Sequence, residues 1–174
     1  MTVGSNEAID KFYIIEIYKG KYNNDDVRNE SKVNSTVLRL MKPYLDKGHY
    51  FYMDNFYNSA DLSNKLLARK THTTGTLRSK RRGNPKEVTQ VKLKKGHHIW
   101  RRAGSIYISK LRNKRDVLSI TTAYKPELVK VTNRHGQKKI KPAAIIKYND
   151  NMSGIDRADQ MISYYSCPRK TKMV

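Results

Sequence analysis

The sequence feature that most restricts the fold is a run of apolar residues at positions 50–53, Tyr-Phe-Tyr-Met, which ends directly in Asp54. The run is too short for a helix and is apolar at every position, a pattern typical of a strand whose sheet is covered on both faces. Strands covered on both faces are typical of α/β proteins, in which helices lie on both sides of the sheet. The run therefore predicts an α/β fold.

Alternating elements around this run agree with that fold class. Apolar residues recur at intervals of three and four after Asn34 or Ser35, and again after Asn58 or Ser59, all of which are residue types that cap helices. Runs of β-branched and aromatic residues bounded by turn residues indicate strands. In chain order the prediction is a strand at 12–18, a helix from 34 or 35 to 45, the strand at 50–53, a helix that follows Asn58 or Ser59 and ends at Arg69 and Lys70, and a strand at 71–77.

The second half of the chain has a different character. Residues 78–95 are rich in charge and contain glycine and proline, and short β-like runs follow at 99–100, 106–108, 117–120, 128–132 and 143–146. A helix with apolar residues at Ile155, Ala158 and Ile162 is predicted to begin near Ser153. The chain is divided accordingly into the first part of an α/β core (1–77), a basic β-rich insertion (78–147) and a C-terminal core helix (148–174).

The net charge and its distribution indicate what kind of partner the chain binds. The 174 residues include 36 Lys and Arg against 15 Asp and Glu, a net charge of +21, and the stretch 69–115 holds 16 of the basic residues with Glu87 as its one acid. Such a localised positive charge is typical of a surface that binds nucleic acid, although a solvated basic loop or an extension that holds RNA by charge alone has the same composition. The residues that we expect to contact DNA are Arg78, Lys80, Arg81, Arg82, Lys94, Lys95, Arg101 and Arg102.

Several other classes of protein are disfavoured by what the sequence lacks. The single cysteine, Cys167, cannot form an internal disulfide, and the five histidines have no cysteine pairs at zinc-finger spacing. No apolar run approaches the roughly 20 residues that a membrane helix needs, and the first residues lack the pattern of a secretory signal. We therefore expect an intracellular protein with no membrane partner.

Trp100, the one tryptophan of the sequence, has two interpretations. It stands among basic residues and can stack on a nucleic-acid base. A lone tryptophan in a small domain, however, is more often part of the core. The sequence leaves both interpretations open.

Three acids are candidates for a metal site. Asp54 ends a buried strand, where a lone carboxylate is unfavourable unless it is paired or binds a cation, and Asp156 and Asp159 lie three residues apart on the predicted last helix. Converging carboxylates suit Mg²⁺, and two such ions can stabilise both oxygens at a phosphodiester. Simpler explanations exist: Asp54 forms a turn with Asn55, Asp156 caps its helix with Ser153, and Asp159 is a solvated acid of the first turn.

Three stretches of sequence resemble, in order, the motifs of piggyBac-type DNA transposases: residues 52–59 (YMDNFYNS), 75–78 with 82–85 (GTLR and RGNP), and 148–161 (YNDNMSGIDRADQM). The resemblance implies an RNase H-like catalytic domain with a β-rich insertion, in which Asp54 and Asp156 hold Mg²⁺ and Asp159 is a supporting catalytic acid. It implies cleavage and transfer of DNA strands at transposon ends and TTAA targets, and a nuclear location. Whether the chain forms a homodimer stays open.

Departures from the family pattern affect the expected activity. The family's first catalytic aspartate ends a strand immediately before the one that matches residues 12–18; the corresponding place falls near Asn6, and Asp10 is too close to the strand. Relatives also continue beyond the position of Val174. We therefore expect a transposase fragment, truncated at both ends, that does not cleave DNA and whose missing strand leaves sheet edges exposed and stability low.

Two alternatives to this interpretation remain. The chain can be a non-catalytic nucleic-acid-binding protein derived from a transposase, which kept the basic insertion for its charge. It can also be an active enzyme whose first acid is Asp10 or comes from another subunit. DNA cleavage and the salt dependence of DNA binding distinguish these cases.

Overall fold

The computed structural model describes residues 2–4, 12–13, 32–132, 136 and 138–164, with the backbone alone for residues 2–4, 12–13, 154–159 and 162–163. The strands are β1 Thr2–Gly4, β2 Phe12–Tyr13, β3 Tyr50–Met53, β4 His72–Thr76, β5 His98–Ala103, β6 Ile106–Arg112, β7 Asp116–Thr121, β8 Leu128–Thr132 and β9 Lys138–Pro142. The α-helices are α1 Lys32–Met41, α2 Ala60–Ala68, α3 Lys86–Thr89 and α4 Ala143–Ser163, and a 3₁₀ helix, Lys42–Tyr44, follows α1.

Within these residues, seven strands form one mixed sheet in the order β2-β1-β3-β4-β7-β6-β5, and β8 pairs with β9 as a separate hairpin. Strands β3 and β4 are parallel, and the other neighbouring pairs are antiparallel. Parallel neighbours need a crossover connection, which α2 provides. The carboxyl ends of β3 and β4 therefore lie at the same edge of the sheet, and Asp54 lies there.

Helices cover both faces of this sheet. On one face, Phe51 and Met53 of β3 pack against α1 and α2, and a second cluster joins α3 to β6 and β7. The two clusters consist of Val37, Met41, Leu45, Phe51, Met53, Leu62 and Leu66, and of Leu77, Val88, Ile106, Ile108, Leu118 and Ile120. On the other face, α4 lies against β1, β3, β4 and β7. The prediction that the run at 50–53 is covered on both sides is confirmed, because Phe51, Tyr52 and Met53 are each at most 5% exposed.

The strand predicted at 12–18 is described only at residues 12–13, and its remainder lies outside the described residues. The predicted helices are present, with one correction to a cap. Ser59 caps α2: its hydroxyl accepts a hydrogen bond from the N–H of Leu62 (3.2 Å). Helix α1 begins at Lys32 rather than at Asn34 or Ser35, so the predicted caps are wrong. Asn34 instead lies inside the helix, is buried, and donates a hydrogen bond from Nδ2 to Asp61 of α2 (2.8 Å). A polar residue at that position ties two helices together.

Residues 143–146, predicted as a strand, are the first turn of α4, which begins at Ala143 and not near Ser153. A short apolar run does not distinguish a strand from a buried helical segment, and the proline that precedes this one suits the start of a helix. The predicted strands at 99–100, 106–108, 117–120 and 128–132 are confirmed as β5 to β8. In the described part of the chain, neither α4 nor any other helix has the length and apolar character needed to cross a membrane.

Strands β5, β6 and β7 of the predicted insertion extend the main sheet. Strand β7 pairs with β4, with Gly75 opposite Ile120, and β6 and β5 continue outward from β7. The division of the chain at residues 77 and 147 stays a prediction. One edge that we expected to be open is paired, since β1 runs antiparallel to β3. Unpaired backbone groups along a strand are unfavourable, and a short extended segment is sufficient to satisfy several of them.

Candidate metal and nucleic-acid site

Asp54 lies at the carboxyl end of β3, where a tight loop leads into α2. Its Oδ1 accepts a hydrogen bond from the backbone N–H of Phe56 (3.0 Å), and its carbonyl oxygen accepts one from the N–H of Asn58 (3.2 Å). The turn that the sequence suggested as a simpler role for Asp54 is therefore present. Asp54 can form this turn and also bind a metal ion, because the turn uses only one of its two carboxylate oxygens.

Asn58 fixes this loop to the sheet. Its side chain is fully buried, and Nδ2 donates to the carbonyl oxygens of Met53 (2.8 Å) and Thr76 (2.9 Å), so that one amide bridges the ends of β3 and β4. The neighbouring Gly75 makes this approach feasible: a Cβ at that position would lie 1.8 Å from the carbonyl oxygen of Met53 and 2.4 Å from Asn58 Nδ2. Sequence reasoning offered Asn58 as a helix cap and missed this role.

Two arginines predicted to contact DNA hold the same loop. Arg81 donates from Nε to the carbonyl oxygen of Asn58 (3.0 Å) and from its terminal nitrogen to that of Phe56. Arg78 donates from Nε to Oδ1 of Asn55 (3.0 Å), and its guanidinium lies 5.1 Å from the ring centroid of Phe56. The positive charge near Asp54 is therefore fixed in position by the loop that carries the carboxylate.

Helix α4 reaches this region along the other face of the sheet. Burial raises the pKa of the Tyr52 hydroxyl far above its ordinary value; the 2.9 Å hydrogen bond with Tyr124 and the negative charge of Asp150 raise it further. Asp150 belongs to α4, so that helix lies beside the strand that ends in Asp54. The N–H of Ala143, where α4 begins, donates to the carbonyl oxygen of Glu127 (2.9 Å).

Asp156 and Asp159 both lie on α4, as predicted, on the turns that follow Asp150. The placement of their side chains falls outside the described residues. Among the residues whose side chains the structure describes, no group of three or more His, Cys, Asp or Glu could hold a metal ion. The joint role of Asp54 and Asp156 as metal ligands, with Asp159 beside them, accordingly stays a prediction.

The other residues expected to contact DNA are exposed. Arg101 and Arg102 lie on β5, which ends the order of the main sheet, and the Nε of Arg101 is 3.9 Å from a carboxylate oxygen of Glu87. Trp100 of the same strand is 45% exposed, so it does not belong to the core. The exposed residues of the predicted set, besides Arg78, are Lys80, Arg82, Lys94, Lys95, Arg101 and Arg102.

Lys110, one of the basic residues in the stretch 69–115, is buried. Lys110 of β6 is 4% exposed; its Nζ donates to the carbonyl oxygens of Thr89 (3.1 Å) and Val91 (2.7 Å) and lies 3.0 Å from Oδ2 of Asp116. These contacts fasten the loop after α3 to the sheet. Composition alone counted Lys110 as part of the basic surface.

Comparisons with known proteins agree with this architecture. The family model described as Transposase IS4 matches residues 9–174, and the chain therefore belongs to that family of transposases. Its structure is similar to that of piggyBac transposase, in a cryo-EM structure of the synaptic complex with hairpin DNA, with a TM-score of 0.68 and 23% sequence identity. The similarity covers 86% of this chain and 31% of the piggyBac chain. The α/β fold class is confirmed, and the piggyBac-type resemblance is confirmed at the level of the fold, which is consistent with an RNase H-like core.

Proposed function

We propose that this chain binds DNA as part of a piggyBac-like transposase, with Asp54 and Asp156 as ligands of Mg²⁺ and Asp159 as a supporting acid, and that it does not cleave DNA by itself. The observation that carries the proposal is the continuity of the sheet in a chain of the transposase family: the strand that ends in Asp54 and the basic β5–β6 hairpin belong to one sheet. Transposon ends and TTAA targets, reached in the nucleus, are the DNA that the proposal names.

The course of α4 supports a shared site for Asp54 and Asp156. Helix α4 starts beside Glu127. Glu127 follows Tyr124 by three residues, and the Tyr124 ring lies 6.2 Å from the ring of Tyr50, at the beginning of β3. Further along, Asp150 is close enough to Tyr52 to affect its pKa. From Asp150 to position 156 the helix advances about 9 Å, and from Tyr52 to position 54 the strand advances about 7 Å. Similar advances along the same direction bring position 156 of α4 toward the loop that carries Asp54.

The residues present are of the chemical type that binds a divalent cation. The Asp54 carboxylate is partly exposed at the end of the sheet and uses Oδ1 in its turn, and Mg²⁺ takes one or two carboxylates together with waters and phosphate oxygens. When bound, the ion would stabilise negative charge at a phosphodiester. The role of this chain is to hold the Asp54 loop rigid, through Asn58 and Arg81, in the position that a bound ion requires.

Absence of cleavage is expected from the acids that the chain provides. The place of the family's first aspartate falls near Asn6, and two carboxylates hold a pair of metal ions less firmly than three. Purified protein should therefore show no magnesium-dependent nicking or hairpin formation on transposon-end DNA. Robust cleavage that Asp54→Ala abolishes would instead support an active enzyme whose missing acid is Asp10 or comes from another subunit.

DNA binding itself is tested by its salt dependence. Removing two phosphate contacts with Lys80→Ala and Arg82→Ala should flatten the slope of log affinity against log salt by about two units. Both side chains are exposed, unlike Arg81, whose substitution would also disturb the Asp54 loop. The matched control is Lys138→Ala with Lys139→Ala, which removes the same charge from exposed positions of β9. An equal effect of both pairs would reject a specific role for the basic loop.

A further inference from the structure

An aromatic and basic patch lies on one face of the β5–β6 hairpin. Trp100 is paired with Ser109, and Arg102 with Tyr107, so Trp100, Arg102 and Tyr107 point to the same side of the sheet. The Trp100 and Tyr107 rings meet edge to face, with centroids 6.0 Å apart, and the Arg102 guanidinium lies 5.4 Å from the Tyr107 centroid. A hydrogen bond from Arg102 Nε to the carbonyl oxygen of Gly104 (2.7 Å) fixes the guanidinium at the hairpin turn.

The opposite face of the hairpin provides its packing, so the patch is not required for the core. Ile106 and Ile108 of β6 are 2% and 3% exposed and pack with Val88 of α3. On the side of the patch, α4 lies over β1, β3, β4 and β7, whereas Trp100 stays 45% exposed. Exposed aromatic rings among basic residues are typical of surfaces that bind single-stranded nucleic acid.

Charge and ring geometry together define the partner. The hairpin carries Arg101 and Arg102, and the loop that leads into β5 carries the exposed Lys94 and Lys95, so the neighbourhood attracts phosphates. Aromatic rings bind nucleic acid through the flat faces of bases, and in a duplex those faces are already stacked on other bases. Unpaired bases alone offer both a phosphate backbone and free ring faces to this patch.

We infer that the Trp100, Arg102 and Tyr107 face binds single-stranded DNA by stacking on unpaired bases. The inference rests on the proposed DNA-binding function and adds the form of DNA that this face takes. Trp100 stacks on a base, Arg102 keeps Tyr107 oriented, and the surrounding lysines and arginines hold the phosphates. Duplex DNA binds to the same basic surface through its backbone, without stacking on Trp100.

The sheet register relates this patch to Asp54. Trp100 is opposite Ser109, Ser109 is opposite Ser119, and Ser119 is opposite Thr76. Because Met53 and Gly75 are neighbours on parallel strands, the position after Met53 lies next to Thr76. Trp100 and Asp54 are therefore at the two ends of one row that crosses five strands, roughly 19 Å apart. This separation falls within the reach of the ~4–16 nucleotides that a stacking platform binds.

Fluorescence tests the inference directly, because Trp100 is the one tryptophan of the sequence. Titration of the full chain with oligo(dT) of about 12 nucleotides should quench the emission in step with binding. Duplex DNA of the same length should bind without comparable quenching. Oligo(dT) that binds while the emission stays unchanged would overturn the inference, as would equal quenching by the duplex or tighter binding of oligo(rU).

Variants provide a second readout through the anisotropy of labelled DNA. Trp100→Ala should weaken oligo(dT) binding about tenfold and leave duplex binding unchanged, while Trp100→Phe, which keeps a ring, should retain most of the affinity. The matched control is Ile140→Ala, an exposed apolar residue of β9 that is 52% exposed. An effect of Trp100→Ala no larger than that of Ile140→Ala would overturn stacking while leaving the proposed function intact. Failure of the unmodified chain to bind either form of DNA would instead contradict the proposed function.

Discussion

Replacing Gly75 by alanine tests how closely β3 and β4 must approach at the end that carries Asp54. The added methyl group would lie 1.8 Å from the Met53 carbonyl oxygen and 2.4 Å from Asn58 Nδ2. Neither atom is the end of a flexible chain, since one belongs to the backbone of β3 and the other to a buried amide with two hydrogen bonds. The strands have to separate, and the Asn58 bridge has to break.

The expected cost follows from those contacts. Two lost hydrogen bonds contribute about 1 kcal/mol each, and forced overpacking adds about 1–3 kcal/mol, so Gly75→Ala should lower the free energy of unfolding by about 3–5 kcal/mol. For a chain of this size each kcal/mol corresponds to a Tm change of about 2–4 °C. The Tm should therefore fall by roughly 10 °C.

Urea unfolding followed by circular dichroism measures this difference, with Gly104→Ala as control. Gly104 has a φ of +60°, and the place that an alanine Cβ would occupy has no atom within 4 Å, so alanine there should cost about 1 kcal/mol through backbone conformation alone. A loss for Gly75→Ala no greater than that for Gly104→Ala would refute the close approach of the two strands.

Three further predictions concern charged residues. Lys110→Met should lower the free energy of unfolding by about 2–4 kcal/mol in urea, because two main-chain carbonyls lose a donor and Asp116 loses a cation; a neutral effect would contradict it. Hydrogen bonds from Arg112 and Lys110 hold the pKa of Asp116 below its ordinary value of 3.8, so the contribution of this carboxylate is present above that pH and lost as the pH falls. The Tm difference between Asp116→Asn and the unmodified chain should thus shrink in acid and not grow. Arg81→Ala should lower the Tm by detaching the Asp54 loop, whereas Lys80→Ala should weaken DNA binding at an unchanged Tm.

Local sequence patterns predicted the strand at 50–53 and the helix after Ser59 because each depends on residues close in the chain. An apolar run without a polar position indicates burial on both faces, and the structure leaves Phe51 and Met53 almost fully buried. Asn58 and Ser59 are both residue types that cap helices, and the cap that forms is the hydrogen bond from the N–H of Leu62 to the Ser59 hydroxyl. The turn of Asp54 was likewise predictable, since aspartate bonds to nearby backbone.

Features that depend on sheet pairing were not predictable in this way. The burial of Lys110 follows from the position of the loop at Thr89 and Val91, about 20 residues earlier in the chain. Arg81 was assigned to DNA by charge, although its partners are carbonyl groups on a loop that precedes it by more than 20 residues. The helix that carries Asp156 and Asp159 was predicted, but its start at Ala143 was not. The short apolar run that follows the proline there does not show the spacing of a helix.

The proposed metal site depends on α4 carrying Asp156 to the end of β3 where Asp54 lies. Spin labels on cysteines placed at positions 54 and 156, with Cys167 replaced by serine, measure that proximity without need of metal or DNA. A shared site predicts dipolar broadening of the doubly labelled spectrum beyond the sum of the two singly labelled spectra. A doubly labelled spectrum equal to that sum would place the two positions far apart and contradict a shared metal site.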